Sequence, residues 1–405
     1  MKFRFFIFIL TTLNLYVSCT GKVSNIPLKA NGANRVDSFP GNSPFVTRDS
    51  HGNLVMSWAR MHSDSTAVLC YVVLDKNADT TGNIVIVPGS ENMQPHSENL
   101  PKVIFKPTGE IIVLWGASNQ EAQNKYAGLV YYSQSFDKGK NWTKARPLVT
   151  DTTGFDQRYY DVALLPSGEV AIIWLDNRRS GRLEGSALYY ASTSGTNGFQ
   201  QERKIAEGCC PCCRTDLYVD SKGGVHVLYR GILKDSIRDM LHSVSTDGGL
   251  TFSEPRLISI DNWVINGCPH TGPAMTENKK GLHFAWYTGA GKKGCFYTKS
   301  PDNGQHFSQS EQISGKGSHP QMTSLSSGEL LITWDEQLHS HGKATRGIAI
   351  ERRTAEGTSK ERNIVTPGSI NASYPVIAQK DAETAVVAYT VKEGQRTYVM
   401  YQEVR

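Results

Sequence analysis

The stretch Gly109-Glu110-Ile111-Ile112-Val113-Leu114-Trp115 reads as a turn glycine leading into a short apolar strand that ends in a large aromatic. Outward from it, the same phrase recurs along the chain. Upstream is GNLVMSW, ending at Trp58; downstream are GEVAIIW to Trp174, GVHVLY to Tyr229, GLHFAW to Trp286, GELLITW to Trp334 and ETAVVAY to Tyr389. The terminal aromatics are 57, 59, 55, 57, 48 and 55 residues apart. A repeat of this length, built of short strands and glycine turns, is too long for a solenoid coil and matches one blade of a β-propeller.

Each copy has a strand before its turn, such as KVIFKP or DVALLP, and further strands after it, such as GLVYYSQS and ARPLV in the second copy. Four strands per copy predict an all-β, seven-bladed propeller spanning 22–405 as one domain, with six blades the alternative if an end copy is degenerate. The last copy, ending at VMYQEVR, holds only three strands. The segment Lys22–Ala30 is expected to supply the missing outer strand and close the ring, because closure removes the sheet edges that an open array would expose.

The chain has 405 residues, 39% hydrophobic and 20% charged, with a net charge of +5. That balance suits a globular core, and without a basic run it gives no support to nucleic-acid binding. Residues 1–19 form a separate unit. Lys2 and Arg4 precede an apolar run from Phe5 to Val17 that ends at Ser18-Cys19. This pattern is a secretory leader too short for a membrane span. It resembles a bacterial lipoprotein signal, which implies acylation at Cys19, export across the inner membrane, and a periplasmic or outer-membrane location. A plain cleavable signal is the alternative. Membrane contact is expected only through that anchor, and the protein is expected to be a monomer.

Three copies carry a further motif between their third and fourth strands: SFDKGKNW at Ser135–Trp142, STDGGLTF at Ser245–Phe252 and SPDNGQHF at Ser300–Phe307. A weakened version spans Ser192–Phe199. The pattern S-x-D-x-G-x-x-W/F resembles the Asp-box, or BNR repeat, of the sialidase-like propeller superfamily. Its Ser and Asp side chains are suited to bonding turn backbone, and its glycine to a positive φ. The resemblance implies that these Asp residues are structural and lie on the face opposite the ligand site.

Residues just before each first strand and just after each second strand share the other end of the channel. Polar groups converge there from all copies, which points to a ligand site for a glycan or polysaccharide. The sialidase resemblance implies an arginine clamp for a substrate carboxylate, an Asp acid/base and a Tyr nucleophile activated by a Glu. Arg158, Arg178, Arg214 and Arg230 are the candidates for the clamp, joined in substrate binding by His96, His270 and His319. Asp161, Asp176, Asp335, Glu336 and Tyr160 are the catalytic candidates. The F/Y-R-I-P motif of active sialidases is absent, and their propellers have six blades. The expected activity is a glycoside hydrolase of exo-sialidase type. A non-catalytic glycan- or protein-binding propeller and a metal or redox protein are the rivals, with a polysaccharide lyase behind them.

Cys209-Cys210-Pro211-Cys212-Cys213-Arg214 stands just before the fourth first strand, and Cys268-Pro269-His270 just before the fifth. The two segments are expected side by side. Disulfides are one reading; a Zn²⁺ or Cu⁺ site from Cys210, Cys212, Cys213, Cys268 and His270 is the other, with no cofactor otherwise required. Cys70 and Cys295 lie within strands and are expected to be buried.

Overall fold

A computed structural model describes residues 32–405 apart from 64–65, 75–81, 154, 179–182 and 341. The leader, Cys19 and the segment Lys22–Ala30 lie outside the described residues. Seven four-stranded antiparallel sheets follow one another in chain order. Their innermost strands are Gly41–Arg48, Lys102–Phe105, Gln157–Leu164, Asp216–Val219, Ala274–Asn278, Gly317–Ser324 and Asn371–Gln379. This is the seven-bladed propeller that the spacing of the aromatics predicts.

The seventh sheet mixes the two ends of the described chain. Asn34–Arg35 pairs with Arg396–Val404, placing Asn34 opposite Tyr401 and Arg35 opposite Met400. Val36 continues the ladder through an N–H donated to the Val399 carbonyl at 3.1 Å and buries its side chain. Among the described residues, Asn34–Arg35 is the outer strand of this sheet and joins the two ends of the chain.

The strand-ending aromatics Trp58, Trp115, Trp174, Tyr229, Trp286, Trp334 and Tyr389 are all fully buried between blades. Burying each such ring contributes on the order of 2–3 kcal/mol, and an indole N–H so placed needs an acceptor. Four of the five indoles find one on a side chain. Trp115 donates to Asn92 at 2.8 Å, Trp174 to Asp176 at 3.1 Å, Trp286 to Asp261 at 2.7 Å and Trp334 to Glu336 at 2.7 Å.

The three SxDxGxxW/F turns are built alike. Ser135, Ser245 and Ser300 each hydrogen-bond the Asp two residues on and accept the N–H of the motif glycine at 2.8 Å. The Asp carboxylates also accept the backbone N–H of Asn141, Thr251 and His306; the Asn141 bond holds Asp137 down at about 2, and the His306 ring, then its N–H, does the same for Asp302. Gly249 and Gly304 have φ of 90° and 83°, and a Cβ there would lie 2.2 Å from the Tyr190 ring or 2.3 Å from the His242 ring. Each motif thus presses its glycine onto the third strand of the preceding blade, locking neighbours together. The weakened copy does the same through Gly198 against Tyr132, and so does Gly357 against Tyr297, a turn with no Asp to announce it.

Candidate functional site

Strand register defines one equivalent position per blade. Phe45, Lys102, Asp161, Asp216, Ala274, Gln321 and Val376 each pair with the residue just before a blade aromatic. Two residues upstream stand Ser43, Leu100, Tyr159, Arg214, Gly272, His319 and Tyr374. Four of these, Ser43, Tyr159, His319 and Tyr374, are non-glycine residues with φ between 53° and 56°, each at a register shift in its first strand. Such backbone is costly and re-aims side chains, so its repetition at one end of the channel marks that end as the specialised one.

Just below this ring, a buried polar network ties the blades across the axis. Lys102 pairs with Asp161, which accepts the Leu217 N–H at 2.8 Å; Asp216 accepts the Met275 N–H at 2.6 Å. Glu98 of the second blade accepts the Gly272 N–H of the fifth at 2.7 Å and lies 3.6 Å from Arg214 Nε. Burial is the larger influence on Glu98 and raises its pKa against the opposing pull of Arg214 and His319. Arg214 spends its guanidinium on the carbonyls of Pro273 (2.7 Å), Gly272 (3.3 Å) and Pro320 (3.3 Å).

Several expected site residues are absorbed by the scaffold in this way. Arg230 is buried, donates to the carbonyls of Arg238, Thr271 and Tyr287, and stacks over Trp263. Arg178 pairs with Asp176 and Glu202, and Asp176 caps the Trp174 indole, with burial lifting its carboxyl to about 6. Glu336 is held by Trp334, Ser314 and Arg362. The Tyr160 hydroxyl, 2.6 Å and 2.9 Å from the carbonyl oxygens of Leu100 and Leu114, donates to blade two, and burial raises its pKa far above that of an activated phenol. Asp161 belongs to the axial network. A clamp of Arg178, Arg214 and Arg230 around one carboxylate is therefore not assembled. Asp335 accepts from His319 Nδ1 at 2.7 Å and from the Tyr374 N–H at 2.9 Å, pairs with Arg346, and holds the His319 ring 4.2 Å from that of Tyr374.

Other candidates do converge. A cavity of about 660 Å³ at the channel mouth is lined by His96, Arg158, Tyr159, Cys212, Cys268 and His270, with Asp156 at its wall. Tyr159 is pinned by Asn99, which accepts its N–H at 2.9 Å, and by Thr215, which donates to its carbonyl at 2.9 Å. The His96 ring meets Tyr159 edge-on at 5.6 Å and lies 5.7 Å from His270. Burial, then the charges of Arg158 and His270, lowers His96 to about 4, so it is neutral at pH 7. Arg158 lies over the Tyr159 ring and is gripped by both oxygens of Asp156 at 2.6 Å and 2.7 Å. Glu98, Asn99 and Asp156 carry no motif of their own; the Asp156-to-Arg158 spacing of two along an extended strand was the available signal for that pair.

The cysteine-rich turn forms the cavity floor. The outer strand Phe199–Cys209 runs in to the axis, and the turn at Pro211–Cys213 folds three sulfurs together. Cys210 Sγ lies 3.7 Å from Cys212 Sγ and 4.0 Å from Cys213 Sγ, and all three sulfurs are within 4.8 Å of one another. All seven described cysteines are free thiols, so the expected disulfides are not formed among them. Cys268 and His270 line the same cavity as Cys212 but do not join the sulfur cluster, so the expected five-residue ligand set reduces to three. Cys70 and Cys295 are buried, as expected.

A profile of the BNR repeat-like domain matches residues 70–382, most of the propeller. The chain belongs to that family. No curated protein matches this BNR-repeat chain. Solved structures of similar fold include the BP39L lectin from Burkholderia pseudomallei, with TM-score 0.59, 10% identity, and coverage of 90% of this chain and 96% of the lectin. The polysaccharide lyase Uly1 has TM-score 0.54 at 10% identity, over 92% of this chain and 90% of the lyase. The K499G mutant of the NanB sialidase from Streptococcus pneumoniae has TM-score 0.51 at 10% identity, over 89% of this chain and 85% of the sialidase. At such identities the likeness is one of fold: a sialidase-like BNR propeller with glycan-related neighbours.

Proposed function

We propose that this BNR-repeat propeller works outside the cytoplasm, anchored through Cys19, and acts as a monomer on acidic glycans at the channel-mouth cavity. The observation that carries the reading is the meeting of a neutral imidazole, a phenol and an oriented guanidinium (His96, Tyr159 and Arg158) in one pocket of sugar-accommodating size. The neighbouring folds include sialidase, lyase and lectin, which supports a glycan ligand without choosing the chemistry.

The lining chooses. Hydrolysis requires two carboxylates, or a Tyr paired with a Glu. The described lining offers one carboxylate, Asp156, and Arg158 holds both of its oxygens. Elimination from a uronate asks for different groups: a base to take the C5 proton, an acid for the departing C4 oxygen, and a cation against the carboxylate. Neutral His96 suits the first task; Tyr159, whose phenol burial keeps protonated, suits the second; and Arg158 suits the third through the Nη1 that Asp156 does not engage. The test is incubation of the purified chain with uronate polymers and with sialosides. Rising ultraviolet absorbance from an unsaturated uronate end supports elimination; released sialic acid supports the hydrolysis implied by the sequence resemblance. Binding without any product reduces the protein to a lectin-like module, and neither binding nor product overturns the glycan reading.

A further inference from the structure

We propose that Cys210, Cys212 and Cys213 bind one thiophilic d¹⁰ metal ion, Cu⁺ or Zn²⁺, in the floor of the channel-mouth cavity. The glycan chemistry above uses none of these thiols, and the site stands independently of it.

Sulfur spacing is the first argument. A metal–thiolate bond of about 2.3 Å puts neighbouring sulfurs about 3.8 Å apart in a tetrahedral site and about 4.0 Å apart in a trigonal one. The separations from Cys210 are 3.7 Å and 4.0 Å. A disulfide requires about 2.05 Å, well below either separation. The second argument is the surroundings. The turn is fixed by Pro211 and by the Cys210 N–H donated to the Arg230 carbonyl at 2.8 Å. The Arg230 guanidinium is fixed on the carbonyls of Arg238, Thr271 and Tyr287 and acts on both Cys210 and Cys213. A fixed cation is what a buried thiolate set needs from the residues around it. Three thiolates bring a charge of −3, which Zn²⁺ and one guanidinium neutralise; with Cu⁺ the balance closes when one of the three sulfurs keeps its proton. The third argument is access. Cys210 and Cys213 are sealed, while Cys212 lines the cavity, so an ion held by all three has a side facing that cavity.

Soft sulfur donors select Cu⁺ and Zn²⁺ over hard cations. Three ligands complete a trigonal Cu⁺ site; for Zn²⁺ they leave a fourth position toward the cavity.

The test uses the full exported chain, reduced, dialysed separately against Zn²⁺ and against Cu⁺, and analysed for bound metal. One equivalent of either ion is expected to survive exchange into metal-free buffer. C212S/C213S should lower retention at least tenfold, and C268S, which alters a cavity thiol outside the triad, should leave it unchanged. If the double variant fails to fold, thiol labelling of the native chain serves: metal should shield Cys212, the triad thiol that lines the cavity, and leave Cys268 reactive. Retention of neither ion, retention abolished by C268S, or equal labelling of Cys212 with and without metal would overturn the site.

Discussion

His96 shows at the scale of one residue how the fold rewrites chemistry. A histidine in water changes charge near pH 6.5, but burial first, then Arg158 and the His270 ring beside it, take this one to about 4. If His96 is the base, kcat/KM falls as pH drops through about 4 and is flat around neutrality; a fall centred near 6.5 would assign the base elsewhere. H96A and Y159F should each lower turnover at least ~100-fold, with little change in melting temperature for Y159F. The sequence placed His96 at the channel mouth, offered Tyr160 where the structure presents its neighbour Tyr159, and could not sort the arginines. Arg158 lines the cavity while Arg214 and Arg230 serve backbone carbonyls, and nothing in an Arg codon context distinguishes the two fates.

At the scale of the element, the Asp-box turns couple blades through glycines. Gly249 combines φ of 90° with a Cβ position 2.2 Å from Tyr190, so G249A should cost roughly 2–4 kcal/mol by denaturant unfolding. G248A, at a positive φ but with open space around it, should cost less. Equal losses would show that backbone conformation, not the interblade contact, sets the penalty. This role was legible in the three full motifs because Ser, Asp and Gly recur at fixed offsets. It was hidden at Gly357, where Thr354 and Thr358 build the turn and only packing on Tyr297 reveals the kinship.

For the whole molecule, two features span the ring. Closure depends on the strand at Asn34–Arg35, and Val36→Ala beside it should cost about 2 kcal/mol although it lies in sequence far from its partner Val399. The axial network depends on Glu98, whose folded-state pKa is raised by burial. A carboxyl shifted upward favours the folded state while protonated, so its stabilisation is present below the ordinary glutamate range and is lost as pH rises through the folded value. E98Q retains an acceptor for Gly272 N–H and should remove that part of the pH dependence; an unchanged stability–pH curve would show that Glu98 does not titrate differently on folding.

The sequence alone determined the blade, favoured seven blades over six, and marked the end of the channel where polar groups gather. Those follow from strand periodicity and turn chemistry, which act between residues close along the chain. Only the tertiary structure decided which charges face a ligand and which brace the ring, and that three sulfurs meet while Cys268 stays apart. Such outcomes depend on distances between blades, such as Glu98 to Gly272, and on the register shifts that turn Tyr159 and His319 toward the mouth. Neither quantity is encoded in local spacing; both arise from the packing of seven sheets around one axis.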